Sequence, residues 1–266
     1  MKKTLQILFL VAFILGSYVT AKFHEPSTND YMMHTALSKD NSIEPGISGK
    51  NIIDIAYTIC DSSITYPDIP SLTENSEQII YGEVQNIEYI MQPNGCCYTR
   101  ETIRIIQSIK GAYASENTIF VLKDQGIMSV QQYIDSFQDE SEREILIQNF
   151  SELYPDTDWN QIYFIAIEIN DIMSEIGQKG IYFLEKSAFF DKDGSYCALD
   201  GANGEYFEIE ENVFTKVSEL SSVLGLWNYN ASLSNSEPVP YTVPDECTYT
   251  TYTKETLLAE CMAYLE

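Results

Sequence analysis

Two consecutive runs of alternating apolar and polar residues form the clearest pattern along the chain. The runs QIIYGEVQNIEYI and CCYTRETIRIIQSIKG flank Asn94-Gly95, and these two residues accept the positive φ angles of a tight turn. In the second run Ile103 and Ile105 share one face, as expected for a half-buried strand. The sequence therefore predicts a β-hairpin, with a bulge where the first run changes phase near Gln85.

Short strands and helices are predicted after the hairpin. Helical spacing of apolar residues begins behind two capping boxes, which start at Ser129 and Ser141. Pro155 ends the second of these helices, and Thr253 is the N-cap of a final helix. The further predicted strands, each short, apolar and bounded by turn residues, are 118–123, 180–185, 196–199 and 205–210.

Residues 159–173 fit two different periods. Trp159, Ile162 and Ala166 belong to a stripe with helical spacing, whereas Ile165 and its neighbours two residues away alternate as in a strand. Because Gly177 is a natural C-terminal stop, we expect a helix here. A strand is the alternative.

The order of these elements predicts an α+β fold, namely a small Greek-key β-barrel with a helical insertion and a C-terminal helix. A short apolar segment at 51–60 forms either a strand or a helical turn. The predicted divisions are a signal peptide (1–21), a flexible leader that includes the apolar segment (22–70), the barrel (71–215) with its helical insert (128–176), and a region of helix, Pro/Tyr-rich spacer and C-terminal helix (216–266).

The first residues have the layout of a secretory signal peptide. Lys2 and Lys3 precede an apolar run that extends to Val19, and Ala21 offers a small residue for cleavage. We expect cleavage after Ala21 and export to the medium or the cell surface. An uncleaved anchor is the alternative and would be the only contact with the membrane, although the run is a little short for a spanning helix.

Composition and charge exclude several classes of partner. The 266 residues include 40 Asp and Glu against 15 Lys and Arg, which gives a formal charge of −25. Nucleic-acid binding needs a Lys/Arg footprint that this chain lacks, and anionic membranes would repel it. With 44% hydrophobic residues the chain can nevertheless form a core.

The cysteines suggest disulfide bonds in an exported chain. Their number is six, which is even, as a set of disulfides requires. Cys247 and Cys261 lie close in the chain with a turn-prone run between them, so they are the first predicted pair. The remaining candidates, among which the sequence does not choose, are Cys60, Cys96, Cys97 and Cys197.

A metal or a cofactor is not expected. Asp191 and Asp193 form a fragment that resembles a Ca²⁺ loop, but Ala202 stands where a full EF-hand loop carries its bidentate Glu, so a hairpin turn is favoured. Zinc sites need closely spaced ligands. This chain has no Cys-x-x-Cys, and its two histidines, His24 and His34, lie in the leader.

Catalytic motifs are also lacking. Carboxylates such as Glu83, Glu88 and Glu101 could serve as general acid and base, but close pairs are expected by chance among 40 acidic residues. A solvated acidic face is therefore favoured. Both histidines lie in the leader and there is no Gly-x-Ser-x-Gly, which argues against a Ser–His or Cys–His pair.

Tyrosine is abundant, with 19 residues. Exposed tyrosines are typical of surfaces that recognise peptides or sugars, whereas half-buried ones simply suit a sheet. We favour packing for the hairpin set and leave both interpretations open for the tail set. The hairpin set is Tyr81, Tyr89 and Tyr98, and the tail set is Tyr241, Tyr249, Tyr252 and Tyr264.

The strand segments resemble those of OB-like barrels in secreted proteins of Gram-positive bacteria, which are related in shape to the netrin and tissue-inhibitor-of-metalloprotease module. The matching segments are 80–84, 98–111, 118–121, 180–184 and 204–207, within residues 72–212. The resemblance implies a fold and no particular chemistry.

One departure from that family concerns the N-terminus. Its metalloprotease inhibitors chelate zinc through a Cys at the mature N-terminus, but here Lys22 would be the first residue and Cys60 is the nearest cysteine. Inhibition by that route is not expected.

The sequence thus favours an exported, non-enzymatic protein that binds a protein or glycan of the cell envelope or the medium, through its insert and its tyrosine-bearing surfaces. One alternative is a secreted peptidase inhibitor that does not use an N-terminal Cys. Another is a carboxylate-dependent hydrolase of cell-wall glycan.

Overall fold

A computed structural model describes residues 50–58, 65–168, 170–187, 194–224 and 249–265. Several predicted features lie outside the described residues: the signal peptide, most of the leader with its two histidines, and the Pro/Tyr-rich spacer. The individually predicted residues that also lie outside them are Cys60, Asp191, Asp193, Tyr241 and Cys247.

Strands predominate over helices in the described residues. The strands are β1 (Asn51–Thr58), β2 (Gln78–Met91), β3 (Cys97–Lys110), β4 (Thr118–Lys123), β5 (Gly126–Ser129), β6 (Ile162–Glu168), β7 (Lys179–Lys186), β8 (Tyr196–Ala198), β9 (Glu205–Glu210), β10 (Val213–Lys216) and β11 (Thr251–Thr253). The α-helices are α1 (Ile69–Asn75), α2 (Val130–Asp135), α3 (Glu140–Leu153), α4 (Val217–Leu224) and α5 (Lys254–Met262).

Five strands close into a barrel in the order β7–β2–β3–β4–β8, because β8 pairs with β7 as well as with β4. The β4–β8 pairing is parallel and the other four are antiparallel. The predicted fold class, an α+β OB-like barrel with a helical insertion and a C-terminal helix, is confirmed. Strands β9, β10 and β11 extend the sheet beyond β7, and β10 and β11 are additional to the strands predicted from the sequence.

The predicted hairpin is the long pair β2–β3. Its register shifts between Val84 and Asn86, where the bulge was predicted, and at two further points. The connection is longer than a two-residue turn, since Pro93–Gly95 forms a 3₁₀ turn. Gly95 has a φ of 81°, the conformation for which glycine is suited.

The insertion between β4 and β7 contains two helices and also two strands. Its first capping box is confirmed, since Ser129 and Gln132 cap each other at the start of α2. The second is wrong, because Asp139 is the N-cap of α3 and accepts hydrogen bonds from the backbone N–H groups of Ser141 and Glu142.

The helix expected over 159–173 is also wrong, because β6 occupies 162–168. This strand lies between β1, to which it is parallel, and β5, to which it is antiparallel. The short apolar segment near residue 51 is therefore a strand that completes a three-stranded sheet. The four consecutive residues from Phe164 to Ile167 are buried, so both faces of β6 are covered and its alternation is obscured.

Buried side chains form four groups, of which the smallest lies on the three-stranded sheet and consists of Ile52, Ile127, Ile165 and Ile167. The barrel interior holds Ile80, Ile103 and Leu184. On the other side of the sheet a second group packs against α1 and α5 and includes Leu72, Phe183, Phe214 and Leu257. The third group lies inside the insertion, where the central ring is Phe150, which neighbours Tyr133, Tyr154, Trp159 and Phe164.

No helix within the described residues is long and apolar enough to cross a membrane.

Candidate functional site

The outer surface of β2, β3 and β4 carries an exposed aromatic ring. Phe120 on β4 is 39% exposed although it lies within the sheet. It pairs with Thr102 on β3, which in turn pairs with Asn86 on β2. These three side chains form a row across the barrel wall, because directly paired residues lie on the same face of a sheet.

Two arginines on β3 flank this row. The Arg100 guanidinium lies 5.3 Å from the centre of the Phe120 ring and donates to Glu88 at 2.7 Å. Arg104 donates to Glu83 at 2.5 Å and to Glu116 at 3.2 Å. The arginines are thus held by carboxylates, which limits their motion. We name the surface formed by Asn86, Arg100, Thr102, Arg104 and Phe120 the Phe120 face.

Helix α3 presents a second exposed apolar feature. Leu146 and Phe150 are buried against the insertion core, whereas Ile145 is 56% exposed and Ile147 is 44% exposed. Acidic residues surround the two isoleucines, because the sequence of α3 is ESEREILIQNFSEL.

A cluster of charged side chains lies inside the barrel. It consists of Lys123 and the carboxyl groups of Glu101, Asp171 and Glu205, none of which is more than 6% exposed. The Lys123 ammonium nitrogen lies 2.6 Å from Glu205 Oε2 and 3.0 Å from Asp171 Oδ1. We call these four residues the buried cluster.

Strand alternation explains why three of these side chains point inward. Glu101 precedes Ile103 by two residues, and Ile103 is part of the barrel core. Lys123 follows Val121 by two residues, and Glu205 precedes Phe207 by two, with Val121 and Phe207 again in the core. Because side chains two apart share one face of a strand, all three charged groups lie on the apolar side.

The loop from β6 to β7 supplies the fourth member and closes the cluster. The backbone N–H of Ile172 donates to Asp171 Oδ1 at 2.8 Å. The Ser174 hydroxyl donates to the Glu101 carboxylate and accepts from Gln125 Nε2 at 2.9 Å. The loop is therefore tied to the barrel through buried polar contacts, which are strong in a site of low polarity.

Burial changes the acidity of these groups. It raises the pKa of Glu205 to about 8, although Lys123 acts in the opposite direction. The pKa of Glu101 is also raised by burial. Burial would lower the pKa of Lys123, but the surrounding carboxylates outweigh it, so this pKa is raised. At the rim of the cluster, burial and the charge of Asp171 raise the pKa of Glu168 to about 7.

Some polar atoms around the buried cluster have no hydrogen-bond partner among the described residues. They are Glu101 Oε2, Glu205 Oε1, Gln125 Oε1 and the Tyr182 hydroxyl. A buried carboxylate oxygen without a hydrogen bond raises the free energy of the folded state. The protonated form of Glu101 and Glu205, which carries no charge, is therefore favoured.

The acidic residues considered from the sequence fall into two environments. Glu83 and Glu88 lie on the Phe120 face and pair with arginines. The interpretation of Glu101 as part of a solvated face is wrong, because it is 1% exposed. Its position two residues before Ile103 was the signal that could have identified it as inward-pointing.

Neither a disulfide nor a metal site occurs within the described part of the chain. Cys96, Cys97 and Cys261 are thiols there, and the Cys197 thiol donates to the Glu185 carbonyl. The pairing of Cys261 with Cys247 stays a prediction, because Cys247 is not described. Among the described residues no group of three or more His, Cys, Asp or Glu is arranged to hold a metal ion.

Two tyrosines of the hairpin set, Tyr81 and Tyr89, pack rather than project. Tyr81 is buried and its hydroxyl donates to Glu208, while Tyr89 is partly buried against the barrel core. In the tail, Tyr252 packs edge-on against Tyr206 and Tyr264 is 50% exposed.

Comparison with known proteins adds no further assignment. No protein-family model matches the chain, and no curated protein matches it significantly. The resemblance to the netrin-like family stays a prediction based on strand segments.

Proposed function

We propose that this chain is an exported, non-enzymatic protein that binds a glycan of the cell envelope through the Phe120 face. The observation that carries the proposal is an exposed ring flanked by two guanidinium groups on the wall of an OB-like barrel. This wall, formed by the second and third barrel strands, is where OB folds bind oligosaccharides and oligonucleotides. Phe120 lies on β4, the third barrel strand, and both arginines lie on β3, the second.

The chemistry of the Phe120 face suits a sugar. The ring offers a flat apolar surface on which the C–H face of a sugar can pack. Arg100, Arg104 and Asn86 offer donors beside it, and the adjacent carboxylates offer acceptors. Sugar hydroxyl groups both donate and accept hydrogen bonds, so alternating donors and acceptors match them.

The charge of the face argues against a polyanionic ligand. Arg100 and Arg104 are already paired with Glu88, Glu83 and Glu116. No surplus of positive charge remains on the face for a phosphate backbone, and the whole chain carries −25. A neutral or weakly charged glycan is therefore favoured over a nucleic acid.

The test is a binding assay with residues 22–266 and purified cell-wall glycan from the producing organism, followed by titration with soluble oligosaccharides. Phe120→Ala should weaken binding roughly tenfold, equivalent to about 1.4 kcal/mol. Tyr264→Ala is the matched control, because it removes an aromatic side chain with 50% exposure outside the face. Equal binding by wild type and Phe120→Ala, or no binding by wild type, would overturn the proposal.

The same assay distinguishes a glycan hydrolase from a protein that only binds glycan. If soluble fragments accumulate from the glycan, and Glu83→Gln or Glu88→Gln stops their release without unfolding the protein, the chain is an enzyme. Binding is favoured instead, because Glu83 and Glu88 are each engaged by an arginine.

The exposed isoleucines of α3 favour a second candidate, a protein partner with an apolar and basic surface. Ile145→Asp should abolish capture of such a partner by residues 22–266. Ile176→Asp is the control, because Ile176 is equally exposed, at 56%, but lies in the loop before β7. If the captured protein is a peptidase, its activity with and without this chain tests the inhibitor alternative.

A further inference from the structure

We propose that Lys123 and Asp171 condense into an intramolecular amide, which cross-links β4 to the loop between β6 and β7. The two side chains meet in the buried cluster, where Lys123 Nζ lies 3.0 Å from Asp171 Oδ1. This inference concerns the inside of the barrel and does not depend on the ligand of the Phe120 face.

The geometry places the reacting groups together before any reaction occurs. Oδ1 is bonded to Cγ of Asp171, so the amine lies beside the carbon that it would attack. Lys123 is 6% exposed and Asp171 is 2% exposed, so water does not separate them. Holding two reactants in contact in this way replaces an encounter in solution and removes a large part of the barrier.

A backbone group is positioned to stabilise the charge that develops. The Ile172 N–H donates to Asp171 Oδ1 at 2.8 Å. When Nζ adds to Cγ, negative charge accumulates on that oxygen, and the same N–H is already directed at it. Hydrogen-bond donors that are positioned in advance are effective in this role because they need no reorganisation during the reaction.

Glu205 is the proton relay. Its Oε2 lies 2.6 Å from Lys123 Nζ, so it can accept a proton from the ammonium group and leave a neutral, nucleophilic amine. Burial raises the pKa of Glu205 to about 8, so its carboxylate form is a stronger base than that of an ordinary glutamate and takes up this proton more readily. The carboxylates around Lys123 raise its pKa, so this first proton transfer is the demanding step.

The step is balanced without an oxidant or another reactant. An Nζ–Cγ bond forms and the Cγ–Oδ2 bond breaks. Two of the three ammonium protons pass by way of Glu205 to Oδ2, which leaves as water, and Glu205 ends in its starting state. The products are one amide and one water molecule.

The surroundings favour the amide over the ion pair. Burying an ammonium and a carboxylate costs desolvation energy, and condensation removes both charges. The Phe207 ring, 5.4 Å from Nζ, attracts the ammonium group, but this attraction is smaller than the cost of desolvating the two charges. The Tyr182 hydroxyl, buried without a partner among the described residues, provides a polar group nearby. An interior that excludes water also protects the product from hydrolysis.

The experiment measures the intact mass of residues 22–266 after refolding, prolonged incubation and reduction of any disulfides. The expected mass is lower than that of the sequence by one water molecule. Peptide mapping should find a branched peptide that joins Lys123 to Asp171, with no tryptic cleavage after Lys123. This result comes from wild type and so does not depend on whether any variant folds.

Three variants test the assigned roles. Lys123→Arg keeps the charge but should retain the full sequence mass, as should Asp171→Ala. Glu205→Gln should also retain it, because the proton relay is lost. Lys110→Arg is the matched control, since Lys110 lies outside the buried cluster and donates to the backbone carbonyls of Thr73 and Glu74, and it should still lose one water molecule.

Two results would overturn the proposal. One is a wild-type mass equal to that of the sequence, together with ordinary tryptic cleavage after Lys123, which would establish a simple ion pair. The other is a branched peptide that joins Lys123 to Glu205, which would contradict the assignment of Asp171 as the acyl partner.

Discussion

Glu205 accepts a 2.6 Å hydrogen bond from Lys123 inside the barrel, although their strands β9 and β4 are not neighbours in the sheet. The contact joins two distant parts of the sheet through the core. Both charges lose their hydration in such a contact, and Glu205 Oε1 has no hydrogen-bond partner among the described residues to offset that loss. The buried cluster is therefore the part of the molecule most sensitive to pH and to substitution.

The first prediction concerns pH and stability. Burial raises the pKa of Glu205 to about 8 and that of Glu168 to about 7, from an ordinary value of 4.5. The folded state therefore binds these protons more tightly than the unfolded state. The associated stability is fully present below pH 4.5 and is lost as the pH rises through about 7 and 8. Each pH unit in that window should cost up to about 1.4 kcal/mol per group.

Urea unfolding at a series of pH values between about 5.5 and 9 checks this direction. Stability should fall as the pH rises, and Glu205→Gln should flatten the slope. The exposed Glu74→Gln is the control and should leave it unchanged. The direction is the same with the Lys123–Asp171 amide in place, because burial remains the largest cause of the raised pKa of Glu205, and the loss of the lowering Lys123 charge outweighs the loss of the raising Asp171 charge. A stability that increases with pH across this range would contradict the assignment.

The second prediction compares a buried ion pair with an exposed one. Lys123→Met should destabilise the protein by about 3–5 kcal/mol, because it removes the Lys123 nitrogen, as ammonium or as amide, from the buried carboxyl groups that it contacts. Arg100→Met removes the partner of Glu88, whose side chain is 53% exposed, and should cost about 1 kcal/mol or less. Chemical denaturation of the two variants measures the difference in their free energies of unfolding. Similar losses of stability would show that water reaches the buried cluster.

The third prediction concerns the core of the insertion. Phe150 is fully buried and its ring neighbours Tyr133, Trp159 and Phe164. Phe150→Ala should therefore cost about 3–5 kcal/mol and change the fluorescence of Trp159. Ile145→Ala, on the exposed side of the same helix, should change stability by no more than about 0.5 kcal/mol. Thermal unfolding followed by fluorescence gives both values.

The fourth prediction concerns two positions, Gly204 and Gly177, at which glycine is favoured for different reasons. A Cβ at Gly204 would collide with the backbone carbonyl of Leu199, so Gly204→Ala should cost about 1–3 kcal/mol or more. Gly177 has a φ of 86°, and a Cβ added there would meet no other atom within 4 Å among the described residues. The cost of a substitution at this position therefore comes from the backbone conformation alone. Gly177→Asn should be tolerated better than Gly177→Ala, because Asn adopts positive φ more readily. Denaturation midpoints of the three variants test this.

The fifth prediction concerns thiol reactivity. Burial raises the pKa of Cys96 to about 11 and that of Cys97 to about 12. Since the thiolate is the reactive form, both should resist alkylation at pH 8 in the folded protein and react once it unfolds. Peptide mapping after alkylation with and without urea measures this. Rapid labelling of Cys97 in the folded state would show that the end of the hairpin opens.

The hairpin, the third strand and the first capping box were predictable from the sequence because their signals are local. Alternation around Ile103 fixes which side of β3 is buried. The pairing of Ser129 with Gln132 fixes the start of α2 within a single turn. Composition likewise disfavoured nucleic acid as a partner, since net charge does not depend on the fold.

The identity of β6 was decided only by tertiary structure. Its apolar residues fit a helix as well as a strand, and the strand forms because β1 and β5 offer partners on both edges. These partners lie far away in the chain, so no local period could identify them. The short strands β10 and β11 depend in the same way on the edge that β9 provides.

The alternation of β3 and β4 contains a signal that Glu101 and Lys123 lie on the same strand faces as core residues, although the sequence was interpreted as placing Glu101 on a solvated face. It could not show that these side chains meet Asp171 and Glu205, because closure of the barrel brings four separate segments to one point. The face on which a side chain lies is fixed by alternation within one strand. Proximity across a barrel depends instead on the register of every strand pair around it. Alternation could therefore have identified single inward-pointing residues such as Glu101, whereas only the tertiary structure shows that the four residues of the buried cluster meet.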